Sequence, residues 1–194
     1  MNLFKVNFQE LYERHLCRHS QYGINVIHIV AVLGIYLALA GIIRCLGGSE
    51  WLLLGIILTH LVIIALNVPV RVLLGNALFM ALLFTIVLIL PKPETWLQSL
   101  LWLAVYVVAI PLLYRLQAWS HKVYNVERDM TEFNKKYKKG FVLFVLLSIY
   151  EVPILLNYLV FDKNNWPAWL SPARRQAQPV QPSGTPDGQV PQYP

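Results

Sequence analysis

The side chains best suited to chemistry in this sequence are five histidines, three of which lie close together near the N-terminus. His15 and His19 are four residues apart, so a helix would place both imidazoles on one face, where they could bind a metal ion at two points. His28 follows inside the first long apolar stretch. A polar side chain inside a membrane span needs a partner and tends to be functional. These three histidines are therefore the first candidate metal ligands.

A second group of polar residues follows residue 115. A helix would align four of them on one face at steps of four residues. They are Gln117, His121, Asn125 and Asp129. Neutral imidazoles with one carboxylate form the ligand pattern of many non-haem iron sites, which leaves positions open for dioxygen and substrate. Asp129, Glu127 and Glu151 are the available carboxylates. Zinc held by histidines is the alternative.

The remaining polar groups in apolar stretches have several interpretations. His60 could be a metal ligand or could form a hydrogen bond to a neighbouring helix. His28 and His60 could also be the axial ligands of a b-type haem. For Glu151 we expect hydrogen bonding across helices rather than ligation, because burial raises the pKa of a carboxyl group. Cys17 and Cys45 lie at opposite ends of the first apolar stretch, so we expect two free thiols.

The composition identifies a membrane protein. Of the 194 residues, 57% are hydrophobic and 13% are charged, and the mean hydropathy is positive. Average soluble domains contain fewer apolar and more charged residues. The net charge of +6 would suggest nucleic-acid binding in a soluble chain, but here the basic residues flank apolar stretches. We therefore expect membrane lipid as a partner and no nucleic acid.

Five apolar stretches predict the fold, which is an all-α, polytopic membrane bundle. They are residues 22–43, 51–66, 72–90, 96–114 and 141–161. A span needs roughly 20 residues. The second stretch is short and the fifth contains Glu151 and Pro153, so we expect four to five transmembrane helices, with an interfacial helix in residues 1–21 and a kink at Pro111. Residues 1–162 form the membrane domain, and the proline-rich tail 163–194 is predicted to be disordered.

The distribution of lysine and arginine predicts the orientation. Most of the 16 basic residues lie before the first span, after the second, or in the polar segment 115–139. The positive-inside rule therefore favours a cytoplasmic N-terminus, which places all five histidines in the cytoplasmic half of the bundle. We expect an integral membrane protein, in the inner membrane of a bacterium or the endoplasmic reticulum of a eukaryote.

Two spacings among the polar residues have counterparts in a known family. His19 precedes His28 by nine residues with Asn25 between them, and Gln117 precedes His121 by four. In these features the chain resembles the membrane 2-hydroxy fatty acid dioxygenase family, which includes the yeast dioxygenase of fatty acid α-oxidation and its bacterial relatives. The asparagine is shifted by one position relative to the family.

The resemblance implies an Fe(II)-dependent dioxygenase that shortens a long-chain 2-hydroxy fatty acid by one carbon with dioxygen. The catalytic histidines would be His19, His28 and His121. Further metal ligands could come from three residues, which are His15, His60 and Asp129. The family has an acid where this chain has Asn125. The alternatives are a non-catalytic lipid-binding or assembly protein, in which the polar groups tie helices together, and the b-type haem carrier.

Overall fold

The computed structural model describes residues 6–124 and 140–165, and these ranges contain six α-helices and no strand. The all-α fold is therefore confirmed. The helices are α1 Phe8–Leu16, α2 Tyr22–Cys45, α3 Glu50–Ala65, α4 Val70–Ile89, α5 Trp96–Val123 and α6 Phe141–Leu156. Helix α6 continues as a π-helical turn at Asn157–Phe161, and a 3-10 turn follows at Lys163–Asn165. The rest of the predicted tail lies outside the described residues.

Four helical segments are long and apolar enough to cross a membrane. They are α2, α4, α5 and Phe144–Phe161, which combines most of α6 with its π-helical turn. The predicted membrane bundle is thus confirmed, and the stretch 141–161 meets the requirement for a span. Helix α3 is the short one. Its 16 residues extend about 24 Å, less than the ~30 Å of a hydrocarbon layer.

Helix α5 is longer than its apolar stretch. The apolar stretch ends at residue 114, but the helix that contains it passes through Pro111 and runs without interruption to Val123, which agrees with the helix predicted for Gln117 and His121. No glycine or further proline follows Pro111 within the helix, so the change to polar residues does not end it. Gln117 and His121 consequently lie on the same rigid helix as the membrane span.

The apolar side of α1 faces the protein rather than lipid. Phe8, Leu11 and Tyr12 are buried in a core cluster that includes residues of α6. The Tyr12 hydroxyl donates a hydrogen bond to Asp162 Oδ2 at 2.7 Å, just beyond α6. The sequence predicted an interfacial helix in residues 1–21, and the structure packs its apolar residues Phe8 and Leu11 against α6. This docking fixes the segment that follows α1.

Glycines allow α2 and α5 to pack closely as an antiparallel pair. A Cβ atom on three glycines of α2 would overlap with side chains of α5 or its C-cap. The pairs are Gly23 with Tyr124, Gly34 with Leu113, and Gly41 with Tyr106. From one pair to the next, the residue number on α2 rises by as much as the residue number on α5 falls, so the two helices run antiparallel. Small residues at such contact lines are typical of helix packing in membranes. The start of α2 therefore lies beside the end of α5.

Hydrogen bonds connect the N-terminal segment to α6 at the same end of the bundle. Asn67, in the turn between α3 and α4, accepts a bond from the backbone N–H of Val6 at 2.9 Å and donates one to the Tyr150 hydroxyl at 2.8 Å. The Tyr158 hydroxyl donates to the carbonyl of Ser20 at 2.9 Å. The segment between α1 and α2 is thus held from both sides.

Substitution of a packing glycine tests the α2–α5 contact. Gly41→Leu should lower the thermal unfolding midpoint, because leucine would collide with the Tyr106 ring and force the helices apart. Overpacking of this kind costs about 1–3 kcal/mol, and each kcal/mol is worth about 2–4 °C in a chain of this size.

Gly55→Leu on α3 is the matched control. No atom lies within 4 Å of a Cβ at Gly55, so the midpoint should not fall. Both variants gain the same helix propensity, so thermal unfolding of the two in lipid nanodiscs isolates the packing effect. Equal losses in the two variants would contradict the glycine-mediated contact.

Candidate metal centre

Three histidines from separate segments converge at one end of the bundle. His19 lies between α1 and α2, His28 lies on α2, and His121 lies near the end of α5. One ring nitrogen of each lies within 4.8 Å of those of the other two. The ring centroids are 4.6 Å apart for His19 and His28, 4.7 Å for His19 and His121, and 5.2 Å for His28 and His121. We call these residues the histidine trio.

Two rings of the trio are oriented so that one nitrogen remains free. His19 Nδ1 lies 3.3 Å from the carbonyl oxygen of His15, and His28 Nδ1 lies 3.4 Å from Glu151 Oε1. Both contacts need a proton on Nδ1, which leaves the lone pair on Nε2. The Nε2 atoms of His19 and His28 are buried and have no hydrogen-bond partner among the described residues. Buried polar atoms are normally paired, so these two are suited to a metal ion.

Asn25 holds the N-terminal part of the site. Its side-chain amide nitrogen donates to the carbonyls of His19 and Gln21 at 2.7 and 2.8 Å. This fixes the amide orientation, so Asn25 Oδ1 accepts a bond from His15 Nε2 at 2.7 Å. The His15 ring also stacks on the His19 ring, with centroids 4.0 Å apart. His15 therefore lies beside the trio and supports His19, and its Nε2 is already engaged.

Of the other predicted ligands, His60 does not join the trio, and Asp129 cannot be compared with it. His60 Nε2 lies 3.3 Å from the amide nitrogen of Asn76, and this contact connects α3 and α4. A hydrogen bond to a neighbouring helix was one of the two interpretations of His60. Asp129 lies outside the described residues, as do Asn125 and Glu127.

Glu151 contacts two of the helices that carry the trio. Its Oε1 atom faces His28 Nδ1 and also accepts a hydrogen bond from the side-chain amide of Gln117 at 3.2 Å. These are the cross-helix hydrogen bonds expected for Glu151. The sequence signal for such a contact is a carboxylate or amide in an apolar stretch. That signal does not identify the histidine that the group contacts.

Burial keeps the N-terminal imidazoles neutral. It lowers the pKa of His15 to about 4, and the neighbouring rings of His28 and His121 act in the same direction against the bond from Asn25. Burial, followed by the nearby rings, also lowers the pKa of His19 well below its usual value. Only neutral imidazole binds a metal ion. The ligand form is therefore present at neutral pH.

The trio fits a divalent transition metal. Nitrogen atoms that share a tetrahedral ion at about 2.1 Å lie roughly 3.4 Å apart. In the metal-free trio the corresponding nitrogens lie within 4.8 Å of one another, so they would approach each other on binding an ion. Three protein ligands leave at least one coordination position open, which is typical of catalytic rather than structural sites.

The fold and the site together define a helical membrane protein with a candidate three-histidine metal centre. No protein-family model, curated protein or solved structure matches this chain.

Removal of single histidines tests the metal centre. His19→Ala, His28→Ala and His121→Ala should each weaken Co²⁺ binding by at least about tenfold, because each removes one of three ligands. His60→Ala is the control and should bind Co²⁺ like the unmodified protein, since His60 contacts Asn76 instead. Visible absorption titrations of protein in nanodiscs measure both effects. Unchanged binding in His28→Ala would contradict the site.

Proposed function

We propose that this chain is an Fe(II)-dependent membrane dioxygenase that acts on long-chain 2-hydroxy fatty acids. The observation that carries the proposal is the histidine trio, with two buried ring nitrogens that have no hydrogen-bond partner in residues 6–124 and 140–165. An iron ion held by few protein ligands keeps positions for dioxygen and for substrate. The substrate class comes from the resemblance of the His19 and His28 spacing, and of Gln117 and His121, to the 2-hydroxy fatty acid dioxygenases.

The position of the trio suits a substrate with a polar head and a long chain. His28 lies about 9 Å from the start of α2 at ~1.5 Å per residue, and His121 is close to the end of α5. In this proposal the acyl chain lies among the apolar helices while its carboxylate and 2-hydroxyl reach the trio.

The residues of the site have separate tasks in this reaction. The trio provides the neutral ring nitrogens, and Asn25 and His15 hold His19 in place. Burial of His28 limits the access of water to the centre. When bound, Fe(II) would activate dioxygen at an open coordination position, and the 2-hydroxy acid itself would supply the four electrons that reduce dioxygen. The overall reaction converts one 2-hydroxy acid and one dioxygen into an acid one carbon shorter, one carbon dioxide and one water, so dioxygen is the only oxidant.

We place the N-terminus and the trio at the cytoplasmic face. The support is the concentration of lysine and arginine before α2, after α3 and in the segment that follows α5. The substrate would then enter from the cytoplasmic leaflet, in a bacterial inner membrane or in the endoplasmic reticulum.

Two observations bear on the other metal-containing candidates. A zinc hydrolase is the second candidate, because no carboxylate joins the trio within the described ranges and three histidines are a known catalytic zinc set. The haem carrier has less support. His19 and His121 lie within 5.2 Å of His28, which leaves no room for a macrocycle, and His60 is engaged by Asn76.

Turnover of a defined substrate tests the proposed activity. Protein reconstituted anaerobically with Fe(II) in nanodiscs should, when oxygen is admitted, convert 2-hydroxypalmitate into pentadecanoate with equal amounts of carbon dioxide. His28→Ala and His121→Ala should lose at least about a hundredfold in rate, because interactions at the reacting centre are lost. His60→Ala should retain the rate of the unmodified protein.

Three outcomes separate the candidates. Equal turnover in His28→Ala would refute the dioxygenase site. If the protein binds metal and does not convert 2-hydroxypalmitate, but its zinc-loaded form shows hydrolytic activity, the zinc hydrolase is favoured. Absence of any bound metal in gently purified protein would favour the non-catalytic lipid-binding or assembly role.

A further inference from the structure

We propose that Glu151 is a positioning residue for the metal centre, where its carboxylate fixes the tautomer of His28 and supplies a negative charge beside the ion. This inference rests on the proposed metal-dependent function. It begins from the contacts of a single oxygen atom. Glu151 Oε1 lies 3.4 Å from His28 Nδ1 and 3.2 Å from Gln117 Nε2.

The hydrogen bond to Glu151 determines which nitrogen of His28 binds the ion. A carboxylate only accepts hydrogen bonds, so the facing Nδ1 must carry the proton. The lone pair then resides on Nε2, the buried atom that has no partner among the described residues. In the opposite tautomer, the Nδ1 lone pair would face the carboxylate and an N–H group would point into the trio. Carboxylate–histidine pairs of this kind orient many metal ligands.

The length of the bond agrees with this role. A fully formed charge-assisted bond is about 2.7–2.9 Å long, whereas His28 and Glu151 are 3.4 Å apart. A cation at Nε2 withdraws electron density from the ring and makes the Nδ1 proton a stronger donor. Binding therefore strengthens the contact, and by the same linkage the contact strengthens binding.

Gln117 holds the carboxylate in position from the other helix. It lies on α5, one helical turn before His121, and its side chain is 9% exposed. Its amide donates to Glu151 without neutralising it. Glu151 thus connects α2 through His28 with α5 through Gln117, the two helices that contribute the deeper ligands of the trio.

A divalent ion bound by His28 would favour the ionised form of Glu151 over the protonated form that burial alone favours. The charge of the carboxylate then offsets part of the charge of the ion. Three neutral imidazoles around a divalent cation leave two positive charges in an apolar environment, where charge is poorly solvated. One carboxylate directly beyond His28 reduces this to one. The remaining positive charge can be matched by a substrate carboxylate, in agreement with an acidic substrate.

The test compares Glu151→Gln with Tyr36→Phe. Glutamine has the same size as glutamate but lacks the charge and can present an N–H group to His28. Tyr36→Phe removes another hydrogen bond between α2 and α6, from the Tyr36 hydroxyl to the carbonyl of Ser148, which does not involve the trio. Co²⁺ titrations in nanodiscs should show binding weakened by about 10- to 100-fold in Glu151→Gln. Tyr36→Phe should bind like the unmodified protein.

The tautomer is measured directly in metal-free protein. Nitrogen chemical shifts of ¹⁵N-histidine distinguish the two neutral forms of His28. We expect protonated Nδ1 in the unmodified protein and a shift toward protonated Nε2 in Glu151→Gln, an effect that a merely structural contact would not produce. Glu151→Asp keeps the negative charge. Its affinity for Co²⁺ should therefore be closer to that of the unmodified protein than the affinity of Glu151→Gln is.

The outcomes distinguish the inference from the function on which it rests. If the unmodified protein does not bind Co²⁺, the proposed metal centre is refuted. If it binds Co²⁺ and Glu151→Gln binds equally tightly with an unchanged tautomer, only the role of Glu151 is refuted. Equal weakening in Glu151→Gln and Tyr36→Phe would also refute that role, because it would assign the effect to helix contact alone.

Discussion

Polar side chains inside an apolar bundle need hydrogen-bond partners within the protein. In this chain, Asn25 and Glu151 find such partners at the end of the bundle that carries the histidine trio. Asn25 uses both of its amide hydrogens and its oxygen on neighbouring groups. Glu151 receives bonds from two helices. After these contacts are made, two ring nitrogens still have no partner within the described part of the chain. Leaving such atoms buried costs free energy, unless a ligand repays it.

The close approach of α2 and α5 brings His28 and His121 near each other. A bulky residue at Gly23 would displace Tyr124 and separate the two helix ends that carry His28 and His121. The same contact line continues at Gly34 and Gly41 toward the opposite side of the bundle. The candidate metal centre therefore lies at one end of a helix pair that is closely packed at three positions along its length.

Part of this arrangement could be predicted from the sequence. Hydropathy located the apolar helices. The chemistry of imidazole made all five histidines candidates, whereas the structure separates His19, His28 and His121, which converge, from His60, which contacts Asn76. The packing of the apolar face of α1 against α6 was not predicted, because an apolar stripe suits protein as well as lipid. The partners of His28 and His60 could not be predicted. Glu151 is 123 positions from His28, and no local pattern encodes such a pairing.

The dispersed origin of the histidine trio also constrains biogenesis. His19 and His28 leave the ribosome early, but His121 follows only after α3, α4 and nearly all of α5 have been synthesised. Glu151 is later still. The newly made segment from α1 to α2 thus holds only two of the three imidazoles. The proposed metal centre can form only after α5 has been inserted into the membrane.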